Sequence, residues 1–316
     1  MIAPPLYKIG EGETVKLKRP IYGLKQSGRS WNTEINSFLT KNGFTRLQSS
    51  SCVYCKGRWI IIIIYVDDIF IFSSKRAPLR ETVKLITNGY ETRDLGDITY
   101  ALGVKIERSK NGDIRLSQRS YIESTLSKYG LTECRTAATP LDQGIKMSKQ
   151  DGPSSPDEKA EMAAVPYRQL IGSLMHLAIY TRPDIMHAVT KLSQFNTNPG
   201  RIHWNQAKHL LRYLSGTKEY ALQYTAGATP EIQIFSDADW AGDVDDRRSY
   251  SGMVVTVGQN IIHWKSTKQK SVTTSTMEAE YAALATCAKE ATWMETFIAE
   301  LNMSELFSKT CELRMR

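Results

Sequence analysis

Hydrophobic positions along this chain fall into distinct patterns, and each pattern predicts a different kind of element. Near the front, Trp31, Ile35, Phe38 and Leu39 recur at helical spacing inside a polar stretch, which predicts an amphipathic helix over residues 30–41. Residues 59–66 are nearly all β-branched or aromatic and predict a strand covered on both faces. Two aspartates interrupt that run before residues 69–72 resume it. The simplest expectation is a β-hairpin with Asp67 and Asp68 at its tip. Further strands are expected over 100–107 and 114–116, followed by a helix over about 121–129.

Residues 143–164 are polar and carry Gly152, Pro153 and Pro156, so they read as a linker or exposed loop. Three apolar stripes at helical spacing follow. Leu170, Leu174, Leu177 and Ala178 mark the first. Ile185, Ala188, Val189 and Leu192 mark the second, opened by Pro183 at a permitted first-turn position. Trp204, Ala207, Leu211 and Leu214 mark the third. These stripes are read as core, with no ligand site in them. The pattern then returns to strands over 232–235, 253–257 and 261–265, and closes with a long helix over 276–301.

Length and composition narrow the class of protein. The chain's 316 residues suggest about two domains, and 41% hydrophobic with 23% charged residues is ordinary for a globular protein. A net charge of +8 fits an acidic partner such as nucleic acid, or simply a basic surface. The five cysteines are scattered, which argues against a disulfide framework and for a reducing compartment. Cys52 and Cys55 form a lone C-x-x-C without a second pair, and the histidines lack paired metal spacing. The first residues lack the basic and apolar regions of a secretory signal, and the longest apolar run is too short to span a bilayer. The expectation is a soluble intracellular protein without membrane contact, in cytoplasm or nucleus.

Two acidic constellations could carry chemistry. Asp67 and Asp68 end an apolar strand, where adjacent carboxylates are costly unless a positive partner compensates them. A pair of divalent metals would do so, as in enzymes that stabilise the attacking and leaving oxygens of nucleotidyl transfer. An ordinary hairpin tip is the competing reading, although the pair lacks the glycine such turns favour. The second constellation begins at Asp237, which ends the apolar run from Ile232. A turn aspartate is its plain alternative. The long helix offers Glu278 and Glu280. They flank the stripe of Tyr281, Leu284, Ala285 and Ala288 on opposite sides, so periodicity does not choose between them. Asp243, Asp245 and Asp246, followed by Arg247 and Arg248, form a charged loop that is either self-paired or turned to a phosphate backbone.

The company these residues keep is specific. Lys18-Arg-Pro-Ile-Tyr-Gly-Leu-Lys-Gln-Ser-Gly-Arg-Ser-Trp31 resembles the YGLKQS motif of copia-type reverse transcriptases, and Tyr65-Val-Asp-Asp68 resembles their catalytic hairpin. Asp94-Leu-Gly96, Leu102-Gly103, Tyr167-Arg-Gln-Leu-Ile-Gly-Ser-Leu174, Thr181-Arg-Pro-Asp-Ile185 and His203-Trp204 continue in family order. Ser236-Asp-Ala-Asp-Trp-Ala-Gly242, Asp246-Arg-Arg-Ser249, Ser251-Gly252 and Glu278-Ala-Glu-Tyr281 resemble the RNase H-like end of those polyproteins.

The resemblance implies an α+β chain in three segments. Residues 1–140 would be a partial reverse-transcriptase palm with a thumb-like end, 141–230 a linker and helical connection, and 231–316 a C-terminally truncated RNase H-like domain. It implies Mg²⁺ at Asp67 and Asp68 and again at Asp237 and Glu280, with Glu278 in reserve. Gly23, Lys25 and Gln26 would line the nucleotide and template. The implied partners are an RNA–DNA hybrid or a template-primer, with other Pol fragments. The family register, an acid followed three residues later by Ala and then an aliphatic, favours Glu280. The family also uses a third palm carboxylate, and Asp67 is the first aspartate of this sequence; after Asp246 no aspartate follows. The expectation is therefore a catalytically inactive fragment. A non-catalytic nucleic-acid binder, a decayed coding remnant and a polymerase completed by a second fragment are its alternatives.

Overall fold

The structure is a computed structural model that describes residues 20–21, 23–227, 229–307 and 312–315. The chain divides into two compact units, Met1–Asp94 with Thr296–Ser304, and Leu95–Glu295 with Glu305–Arg316. These units are drawn differently from the three sequence segments, because a stretch near the C-terminus packs with the front of the chain.

The first unit holds α1 (Ser27–Lys41), β1 (Thr45–Arg46), β2 (Val53–Lys56), β3 (Ile60–Tyr65), β4 (Asp68–Ser73) and α2 (Arg76–Gly89). The strands form an antiparallel sheet in sequence order. Alternation along β3 puts Ile60, Ile62 and Ile64 on one face, where they pack with Ile35 and Leu39 of α1 and Ile86 of α2. Burying one such isoleucine stabilises the fold by about 2–3 kcal/mol. The opposite face carries Ile61 and Ile63, packed with Leu47, Val53, Cys55, Phe297, Leu301 and Met303. The all-apolar run of this strand reflects cover on both sides. The Glu300 carboxylate accepts bonds from the backbone amides of Gln48 (3.1 Å) and Ser49 (3.0 Å), which ties this cover to the sheet.

The second unit opens with β5 (Tyr100–Ala101), β6 (Val104–Arg108), β7 (Ile114–Ser117) and α3 (Arg119–Lys128). The single strand expected over 100–107 is instead a hairpin. Leu102 (φ 52°) and Gly103 (φ 79°) form its two-residue loop, and two successive positive φ angles match the twist of paired strands. The helices α4 (Pro156–Ala163), α5 (Tyr167–Tyr180), α6 (Met186–Ser193) and α7 (Arg201–Gly216) follow. The expected loop over 143–164 thus contains α4, started by Pro156 in its first turn and a capping box between Ser155 and Glu158. The three apolar stripes converge with Ile122 and Leu126 of α3 in one core.

Arg182 lies inside this helical block at 1% exposure, paired with Asp184 at 2.7 Å and bonded to the Thr217 hydroxyl at 2.6 Å. The Thr-Arg-Pro-Asp motif is therefore a structural joint: Pro183 starts the turn that leads into α6, and its neighbours pin that turn to the end of α7. His203 is also buried. Its Nδ1 accepts from the Gly200 amide (2.8 Å), its Nε2 faces the Ser148 carbonyl (3.1 Å), and its ring stacks on Phe195.

The remaining elements are β8 (Leu222–Tyr224), which joins β7, then β9 (Ile232–Ala238), β10 (Tyr250–Val257), β11 (Asn260–Lys268), α8 (Thr276–Glu300) and β12 (Glu312–Met315). The last sheet has the order β11-β10-β9-β12. β9 is antiparallel to β10 and parallel to β12, so α8 lies in the crossover connection. Cys52, Cys55, Cys134 and Cys287 are free. Among the described residues no helix is long and apolar enough to cross a membrane.

Candidate functional site

Asp67 and Asp68 sit where the first sheet turns back on itself. Tyr65 pairs with Asp68, so the loop is Val66 and Asp67 alone, and Asp68 already belongs to β4. Both aspartates are exposed. Solvent therefore meets the cost that the sequence pattern assigns to a buried pair, and no cation is demanded on that ground. Val66 has φ 55°, a left-handed conformation that suits glycine better than a β-branched residue.

The YGLKQS segment leads into α1. Gly23 (φ 95°), Lys25 and Gln26 are exposed, and Gln26 is the N-cap, its carbonyl accepting from the Ser30 amide at 3.0 Å. One turn on, Trp31 Nε1 donates to the Val66 carbonyl at 2.9 Å. This bond brings the start of α1 to the acidic hairpin. In the sequence Trp31 ends the YGLKQS-like stretch and lies on the apolar face of its helix; the indole donor is a further role that spacing does not reveal.

The second candidate pair lies in the last sheet. Asp237 is exposed next to the end of β9. Glu280, in the first turns of α8, accepts from the Ala238 amide through Oε1 at 3.2 Å, while its Oε2 is buried without a hydrogen-bond partner. Glu278 has other work. Its carboxylate accepts from the Thr274 amide (2.6 Å) and hydroxyl (3.0 Å), and its amide bonds Ser275 Oγ. Those bonds hold the Glu278 carboxyl below the usual carboxylate range and cap the start of α8. Glu280 is thus beside Asp237's strand, and Glu278 serves the helix.

The charged loop after β9 is largely self-paired. Asp243 is buried against Lys268 at 2.7 Å and accepts from the Asp245 and Asp246 amides. Burial alone would raise its pKa, but Lys268 and those amides outweigh it and leave it below the ordinary range. Lys268 also meets Asp246 at 2.9 Å, and Asp245 receives the Ser148 hydroxyl and the Lys149 amide.

Neither acidic pair closes a metal cradle. Among the described residues no group of three or more His, Cys, Asp or Glu side chains is placed to hold a metal ion. The Glu280 Oε2 stays buried without a hydrogen-bond partner, close to the strand that carries Asp237.

A sheet backed by two helices, with paired aspartates at a hairpin tip, is consistent with part of a reverse-transcriptase domain. Residues 1–143 match the family model described as reverse transcriptase (RNA-dependent DNA polymerase). The Pol polyprotein of transposon TNT 1-94 of Nicotiana tabacum is 38% identical over 92% of the chain and 22% of its own length. The Pol polyprotein of transposon RE2 of Arabidopsis thaliana is 36% identical over 91% of the chain and 19% of its own length. An uncharacterized mitochondrial protein of Arabidopsis thaliana is 33% identical over 73% of the chain and 93% of its own length. The chain belongs to the reverse-transcriptase family of copia-type transposon Pol polyproteins. It spans about a fifth of the length of the Pol polyproteins it matches.

Proposed function

We propose that this chain is the later part of a retrotransposon reverse transcriptase joined to an RNase H-like region, and that alone it does not polymerise. The observation that carries the first part is the two-residue hairpin presenting Asp67 and Asp68, tied to the YGLKQS helix by Trp31. Asp67 and Asp68 are the metal-binding pair in this reading, and Gly23, Lys25 and Gln26 face the nucleotide and template. The order β11-β10-β9-β12, with α8 in the crossover and Asp237 beside Glu280, supports the RNase H-like assignment.

Reverse transcriptases use divalent metal. When bound, Mg²⁺ would supply positive charge to the phosphate oxygens at each centre. Among the described residues two carboxylates stand at each centre, too few to hold the pair of ions that phosphoryl chemistry uses. The loss of one member of such a unit removes most of the rate. The partner in this reading is a template-primer or RNA–DNA hybrid, recognised chiefly through phosphate charge.

Primer extension on an RNA template with Mg²⁺ tests the reading. The 316-residue chain is expected to give no extension above that of its Asp67→Asn, Asp68→Asn double variant. Extension by the parent chain that the double variant lacks would overturn the claim of inactivity. A longer Pol chain that extends primers, and loses this with the same double substitution, would support the assigned roles.

A further inference from the structure

We infer that the Trp31 indole is a positioning clamp for the acidic hairpin: it fixes Val66 in a left-handed backbone conformation and thereby sets where Asp67 and Asp68 point. The functional consequence rests on the reading of Asp67 and Asp68 as a metal pair; the clamp itself stands on geometry alone. Val66 is the first residue of a two-residue loop and has φ 55°. A β-branched side chain disfavours that region, and persistence there requires a restraint from the surroundings. The side chain does not supply it, since Val66 is 57% exposed. The restraint acts on the backbone instead: the two-residue turn between paired Tyr65 and Asp68 calls for a positive φ, and the 2.9 Å bond from Trp31 Nε1 to the Val66 carbonyl holds the peptide that follows it.

The donor is itself held. Trp31 packs edge-on against Tyr90, with ring centroids 5.4 Å apart, and joins the core that contains Ile35, Ile62 and Ile86. The peptide that the indole grips is the one joining Val66 to Asp67. Rotation of that peptide would turn the Asp67 side chain, and with it the spacing of the two carboxylates. Trp31 touches no reacting atom in this account; it acts through the hairpin.

Trp31→Phe keeps an aromatic ring in the core and removes only the donor, so it isolates the clamp. Amide hydrogen exchange by NMR on the full chain is the primary measurement. The substitution is expected to speed exchange at Tyr65 and Asp68, the pair that closes the hairpin, by about three- to tenfold, the scale of one lost hydrogen bond, and to leave β6 and β7 amides unchanged. The effect is expected to shrink when Val66→Gly is added, because glycine occupies the left-handed region without restraint. Mn²⁺ affinity, read by paramagnetic broadening at the hairpin, is expected to fall with Trp31→Phe and to recover in the double variant. Should Trp31→Phe misfold, the wild-type indole gives the answer directly: a Trp31 N–H protected from exchange supports the clamp, and one exchanging as fast as a free indole overturns it. Unchanged exchange at Tyr65 and Asp68 in a folded Trp31→Phe variant also overturns it. If wild-type protein binds no Mn²⁺ while the exchange effect is present, the clamp stands and the metal reading of the pair falls.

Discussion

At the scale of single residues, two buried side chains carry consequences that can be measured. Arg182 is enclosed, and its charge is met by Asp184 and by oxygens of Thr217. Replacing it with Met would remove the charge that Asp184 faces, leaving that carboxylate only the Tyr213 hydroxyl, and would strip the Thr217 oxygens of this donor. Arg182→Met is expected to destabilise the second unit by about 3 kcal/mol, seen as a lower urea midpoint. His203 is the second case. Burial holds its imidazole below the ordinary range, against the opposite pull of Asp151, the Ser148 carbonyl and Asp245. The unfolded chain therefore takes up the proton first as pH falls. The stability due to a neutral His203 is complete above about pH 6.5 and declines below it. Urea midpoints are expected to drop between pH 6.5 and 5.5, less steeply in a His203→Asn variant.

At the scale of elements, close approach and capping decide what can be changed. Gly200 precedes α7 with φ −97°, ordinary for any residue, yet an added Cβ would lie 1.7 Å from the Asp151 carbonyl. Gly200→Ala is expected to cost about 1–3 kcal/mol by forcing the Lys149–Asp151 turn away from α7, measurable by thermal unfolding. The long elements were legible because their apolar period is unbroken. The five isoleucines from Ile60 to Ile64, the three helical stripes and the long helix α8 all announce themselves. α2 did not, because its buried stripe includes Thr82, which blurs the period. β1, β2, β8 and β12 have two to four residues each, and pairing with a neighbour, not their own pattern, makes them strands. The candidate acids were readable as residue types in motifs. Their separate partners were not: periodicity leaves Glu278 and Glu280 equivalent and the family register only favours Glu280, whereas the structure gives Glu278 to Thr274 and Glu280 to the Ala238 amide.

At the scale of the whole molecule, charge is the property that matters for a partner. With a net charge of +8, binding to a hybrid duplex through phosphates should release counterions and weaken with salt. In the proposed reading, affinity for an RNA–DNA hybrid is expected to fall by at least about tenfold between 50 and 200 mM salt. Affinity that ignores salt would exclude a phosphate-led interface. This outcome is separate from primer extension, so a chain that binds without polymerising is distinguishable from one that does neither.

The first unit is discontinuous in the chain, closed by Phe297, Leu301 and Met303 against the sheet made by its opening residues. Synthesis must therefore run about 230 residues past β4, through Met303, before the open side of that sheet can be covered. Until then Ile61 and Ile63 are open to misassembly with nascent neighbours, and a chaperone that shields apolar strands would be engaged throughout that interval.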